Sequence, residues 1–199
     1  LLWEAMKWAA PFRSDRSRGP APKKPSEILK KGDIVYVYRD EQRVLQLTQL
    51  PQVESALVAI NPYTGGIEAL VGGYDFEKSK FDRTTMAKRQ VGSNFKPFLY
   101  SSAIARGLSI NSLFMDEPLK TWDPGSRTWW EPKNTPNRYD GIMTLREALA
   151  RSKNVVSVRL IRQIGVPNAV IHVQKFGFEI PRSQQVESMA LGSVEVTPL

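Results

Sequence analysis

Pro97 lies in a stripe with helical spacing, formed by Phe95, Phe98, Leu99, Ser102 and Ala103. Proline lacks the backbone donor that a helix interior uses, and its ring clashes with the preceding turn, so it is tolerated only in a first turn. Stripe and proline together fix a helix start close to Ser93, with Gly107 as the stop. Before this point the pattern is of strands. The β-branched and aromatic run 34–38 and the run 43–48 predict a short hairpin. Runs 56–60 and 67–71 predict a second one around Asn61-Pro62-Tyr63-Thr64-Gly65-Gly66. These two strands are apolar on both faces, which predicts a sheet covered on two sides. After Pro97 the pattern is mainly helical. Thr144-Leu145-Arg146-Glu147 is a capping box. A helix with Val156, Leu160, Ile161 and Ile164 on one face stops at Gly165, and Pro167 opens another that ends near Gly177. Residues 117–141 read as irregular. The expected class is α+β.

Composition narrows the chemistry. The 199 residues contain no cysteine and a single histidine, His172. Disulfides, thiol nucleophiles and Cys-ligated metals are excluded, as is any two-histidine metal site. A Ser-His-Asp triad would have to use His172, whose neighbours Ala169, Val170, Val173 and Phe176 form an apolar face that it is expected to point away from. The base of a hydrolase or acyltransferase built from this chain is therefore sought among Lys, Asp and Glu. No cofactor and no metal are expected.

The candidate nucleophile is Ser93 in Gly92-Ser93-Asn94-Phe95-Lys96-Pro97. With 16 Ser and 13 Lys in the chain, roughly one Ser-x-x-Lys arises by chance, so the context carries the argument. Near a helix start, Lys96 lies three residues on along the same face, with Cβ atoms roughly 5–6 Å apart. A Ser hydroxyl needs a base to take its proton. A Lys amine serves only when neutral, and burial and the positive end of a helix both disfavour its ammonium form. The plain alternative is a Ser93 cap beside a solvated Lys96. Ser152-Lys153-Asn154 falls at a junction of two predicted helices, where side chains can project into a cleft; the plain alternative is that Ser152 ends one helix and Asn154 caps the next.

Other features carry less. Ser109-Ile110-Asn111 repeats the Ser-x-Asn spacing far along the Ser93 helix, and Lys120-Thr121-Trp122 has Trp where close substrate approach requires Gly. Residues 11–31 hold seven Lys/Arg against two Asp/Glu and several prolines, and read as a solvated linker without a nucleic-acid motif. Trp129-Trp130 fits either a groove border or packing under the long loop. No run approaches the ~18 apolar residues of a membrane span. The chain opens at Leu1, not Met, and stops at Pro198-Leu199, which reads as a piece of a longer protein.

The linked motifs resemble the class A penicillin-binding proteins. Arg89 through Tyr100 resembles their nucleophile segment, and 56–65 through Val71-Gly72-Gly73 the strand pair that opens their transpeptidase domain. Phe81-Asp82-Arg83, Trp130-Glu131-Pro132-Lys133-Asn134, Tyr139-Asp140-Gly141, 144–149 and Ser152-Lys153-Asn154 follow in the family's order; Ala190-Leu191-Gly192-Ser193 with Thr197-Pro198 resembles a following helix start. Residues 1–50 are similar to the linker and the end of the OB-like β region of type-1A members from Gram-negative bacteria, leaving 51–199 as the first part of the transpeptidase domain. The resemblance implies a peptidoglycan D,D-transpeptidase. Ser93 would attack the penultimate D-Ala of a stem peptide, Lys96 would take its proton, Ser152 would relay a proton to the leaving group, and Asn154 would hold the substrate amide. β-Lactams would acylate Ser93. It also implies a protein at the periplasmic face of the inner membrane, with a glycosyltransferase domain and a membrane anchor outside this chain. The family's Lys-Thr/Ser-Gly strand does not occur in the sequence, so the 199 residues alone are expected to be inactive unless a second chain completes the domain. The competing expectation is a non-catalytic basic module for cell-wall polymer or partner proteins.

Overall fold

A computed structural model describes residues 1–123 and 127–199, and the chain divides between Glu54 and Ser55 into two units. The first unit opens with a 3-10 turn at Trp3–Ala5. Two short strands, β1 (Phe12–Ser14) and β2 (Ser17–Arg18), pair within the basic stretch, both of them exposed. The expected hairpin follows as β3 (Tyr36–Arg39) and β4 (Leu45–Thr48), antiparallel, with Leu47 buried.

The second unit opens with the other expected hairpin, β5 (Leu57–Ile60) and β6 (Ile67–Val71). Its turn is held by Asn61, whose Oδ1 accepts from the N–H groups of Tyr63 and Thr64 at 2.9 and 3.2 Å, and by Gly65 at φ +72°. The expectation of cover on both faces fails here. Every residue of β6 is exposed, and Leu57, Ile60, Ile67 and Val71 are about half exposed. Apolarity on both faces records what a strand is suited to lie between; the described residues cover this two-stranded sheet only in part, leaving Val58 and Ala59 half-buried.

A strand β7 (Arg89–Gln90) leads into a 3-10 turn, Gly92–Phe95, and then α1 (Lys96–Ala105), with Pro97 in its first turn as the sequence requires. The region read as irregular, 117–141, contains two short strands, β9 (Thr121–Asp123) and β10 (Thr128–Trp130); β8 (Leu113–Asp116) ends just before it and β11 (Gly141–Thr144) begins at its last residue. β8 pairs with β11 and β9 with β10, both antiparallel; residues 124–126 of that expectation lie outside the described ones. Then come α2 (Leu145–Ala150), α3 (Asn154–Ile164), α4 (Val166–Gln174) and β12 (Glu195–Val196), the last paired with β7. The 187–191 segment is a 3-10 turn and 197–199 is not helical.

Three helices meet around one apolar core. Phe95, Leu99 and Ala103 face Val156, Leu160 and Ile161 of α3 and Ala169 and Val173 of α4. Phe114, Met143 and Leu145 close it from β8, β11 and α2. The Thr144 cap is complete: its Oγ1 accepts from Glu147 N at 3.2 Å, and Glu147 Oε2 accepts from Thr144 N at 3.0 Å.

Candidate active site

The turn carrying Ser93 is gripped by backbone. Val91 N donates to Val194 O and Gly92 N to Gly192 O, both at 3.0 Å. Gly92 and Gly192 have φ of +60° and +76°, and a Cβ on Gly192 would lie 1.8 Å from Gly92 O. Only hydrogen at that position lets the two chains meet. Ser93 is exposed, and its hydroxyl makes no hydrogen bond among the described residues. Ser93 therefore does not cap the helix, and its own carbonyl accepts the N–H of Lys96.

Lys96 starts α1 and is the reverse of solvated, at 1% exposure. Its Nζ donates to Ser152 O at 2.6 Å, to Ser152 Oγ at 3.0 Å and to Asn154 Oδ1 at 2.7 Å. An ammonium has three donors, and all three meet neutral oxygens. Burial without a facing carboxylate lowers its pKa from 10.5 to about 8. A neutral amine in the same place has a lone pair for a hydroxyl proton, and the hydroxyl it touches is that of Ser152.

The three acceptors come from the bend between α2 and α3. Ser152 has φ +52°, a left-handed conformation that costs a non-glycine residue roughly 1–2 kcal/mol. Asn154 Nδ2 donates to Lys133 O at 2.8 Å, and the first N–H groups of α3, those of Asn154 and Val155, donate to Asn134 Oδ1 at 2.9 and 3.2 Å. Asn134 thus caps a helix from twenty residues away in sequence. Its Nδ2 donates to Asp116 Oδ1 at 2.7 Å and to Arg138 O at 2.9 Å.

Beneath the bend, Lys153 Nζ meets Asp116 Oδ2 at 2.7 Å, Asp140 Oδ2 at 2.6 Å and Arg138 O at 3.2 Å. Burial by itself lowers its pKa, but the bonds and charges of Asp116 and Asp140 outweigh that and hold it above 10.5. Asp140 is held below the usual carboxylate range, chiefly by the Lys153 bond. A cavity of about 280 Å³ opens here, lined by Pro136, Arg138, Asp140, Arg151 and Ser152 among others.

The structure therefore brings Lys96, Ser152 and Asn154 into direct contact and sets Ser93 one turn before Lys96. His172 is elsewhere: its Nε2 lies 2.9 Å from Ser101 Oγ and its ring tilts against Phe176. Trp130 packs against the core, while Trp129 is exposed and edge-on to Trp122. The sequence reading missed roles for Asp116, Asn134, Asp140 and Lys153. A signal for Asp116 existed: alternation in β8 puts it on the face of buried Phe114.

Residues 55–193 match the family described as penicillin binding protein transpeptidase domain, and residues 1–53 match the penicillin-binding protein OB-like domain. The chain belongs to the penicillin-binding protein transpeptidase family. It is 47% identical to penicillin-binding protein 1A of Escherichia coli over 199 residues, which is all of this chain and 23% of that protein. The 2.6 Å crystal structure of penicillin-binding protein 1A from Haemophilus influenzae is 42% identical, with TM-score 0.73 over 82% of this chain and 24% of that one. Penicillin-binding protein A of Mycobacterium tuberculosis, 23% identical, shares the fold at TM-score 0.61, over 73% of this chain and 43% of that one. The chain spans about a quarter of the length of the curated relatives it matches.

Proposed function

We propose that the whole protein is a peptidoglycan D,D-transpeptidase in which Ser93 is the nucleophile and Lys96 its base. The observation that carries this is the buried Lys96 amine, surrounded by Ser152 and Asn154 oxygens with no carboxylate on it. With a pKa of about 8, its neutral fraction near pH 7 is roughly 300-fold that of an ordinary lysine.

In this reading Ser93 Oγ bonds to the carbonyl carbon of the penultimate D-Ala, and its proton passes to Lys96 Nζ. The oxyanion accepts from the Ser93 N–H. The C–N bond then breaks, and the Lys96 proton reaches the leaving D-Ala nitrogen through Ser152 Oγ. An amine from a neighbouring stem peptide attacks the acyl-enzyme, forms the cross-link and returns the hydroxyl. Asn154 retains one Nδ2 hydrogen beyond its bond to Lys133 O, available to a substrate carbonyl. A β-lactam enters the same first step, its ring nitrogen leaving without departing. The reading puts the domain on the periplasmic face of the inner membrane; no helix among the described residues is long and apolar enough to cross a membrane.

Labelling of the whole protein with fluorescent penicillin tests this. Ser93→Ala is expected to abolish labelling, while His172→Ala retains it. Undiminished labelling of Ser93→Ala overturns the assignment and favours a non-catalytic module.

A further inference from the structure

We propose that Lys153 is a positioning residue: with Asp116, Asp140 and Asn134 it forms a buried latch that holds the Ser152–Asn154 bend where its oxygens enclose the Lys96 amine. The proposal rests on Lys96 being the base. Lys153 is the residue between the two that touch Lys96, and it turns the other way. Its side chain is 8% exposed, and its three donors are used by Asp116, Asp140 and Arg138 O. Asp116, fully buried, accepts through its other oxygen from Asn134 Nδ2, and Asn134 Oδ1 takes the N–H of Asn154 itself. Asp140 N in turn donates to Asp116 Oδ2 at 3.0 Å. An unbroken chain of contacts thus runs from the Lys153 charge to the residue that presents Oδ1 to Lys96.

The bend needs such a latch. Ser152 is left-handed without being glycine, and such a conformation persists only where its surroundings over-determine it. The same bend removes Lys96 from water, which is what lowers its pKa. The charged groups around it are accounted for. Asp116 comes from β8, Asp140 precedes β11, Arg138 and Arg151 flank Asp140 within 3.3 Å, and Lys133 supplies a carbonyl to Asn154. Tyr100 of α1 bonds Ser157 and is pushed up to about 12, mainly by burial. None of these puts a carboxylate on Lys96.

The test is the titration of Lys96 in the whole protein, followed by lysine 13Cε NMR and assigned by the resonance lost in Lys96→Arg. Lys153→Met is expected to admit water and move the midpoint up by about one pH unit or more. In the whole protein, the alkaline rise of penicillin acylation moves with it. Lys153→Arg, which can still bridge two carboxylates, restores both. Lys153→Met combined with Asp116→Leu removes the unpaired buried charge and so recovers thermal stability, but the raised midpoint persists. An unmoved midpoint in folded Lys153→Met, or one that recovers with stability in the double variant, overturns the latch. If the midpoint moves while acylation survives Lys96→Arg, the assignment of Lys96 as base fails and the latch stands.

Discussion

Lys96 and Lys153 are both buried, both donate three hydrogen bonds, and lie on opposite sides of Ser152. They differ in what accepts. Lys96 meets a carbonyl, a hydroxyl and an amide oxygen; Lys153 meets two carboxylates and a carbonyl. The first amine is lowered to about 8, the second held above 10.5. Burial acts on both, so it does not distinguish a base from an anchor. The charge of the acceptors does, and environments that push two like groups apart mark their roles.

The sharpest way to break the contrast is to give Lys96 a carboxylate. Asn154→Asp is expected to raise the Lys96 midpoint by about 1–3 pH units and to lower penicillin acylation at neutral pH accordingly, read by lysine NMR and labelling. Next is the anchor. Asp116→Asn leaves Lys153 one charge short in a buried place, at an expected cost of about 3 kcal/mol in urea unfolding.

pH separates the two sites as well. Asp140 is depressed in the folded chain, so its contribution is complete above its ordinary value of 3.8 and is lost as pH falls through the lower folded value. Lys96 is also depressed, so its protonated form opposes folding; relative to Lys96→Met, the chain gains stability as pH rises from about 8 to 10.5. Melting temperature against pH for wild type, Asp140→Asn and Lys96→Met checks both signs. The smallest effect is Ser152→Gly. It relieves the left-handed strain but adds freedom to the unfolded chain, so stability changes by less than about 1 kcal/mol, while acylation falls because the relay hydroxyl is gone.

Legibility in the sequence followed the range of the signal. Pro97, the Thr144–Glu147 box, Gly165 and Pro167 act within a turn or two, and each stands where local rules put it. Spacing singled out Ser93, Lys96, Ser152 and Asn154, but not the contact of Lys96 with Ser152 and Asn154, which lies across 56 and 58 residues. The latch was not legible: Asp116, Asn134 and Lys153 are joined across 18 and 37 residues by partners that no local pattern names. The β7–β12 pairing that grips Gly92 is longer still in range. The β5–β6 hairpin stands where the sequence put it, but its cover was not legible, since two apolar faces do not say what lies against them.

The central claim is that Lys96 is a buried amine poised to be neutral. Its titration in the folded chain, by the 13Cε shift missing from Lys96→Arg, tests this directly. The account predicts a midpoint of about 8; a midpoint at the ordinary 10.5 or above contradicts it.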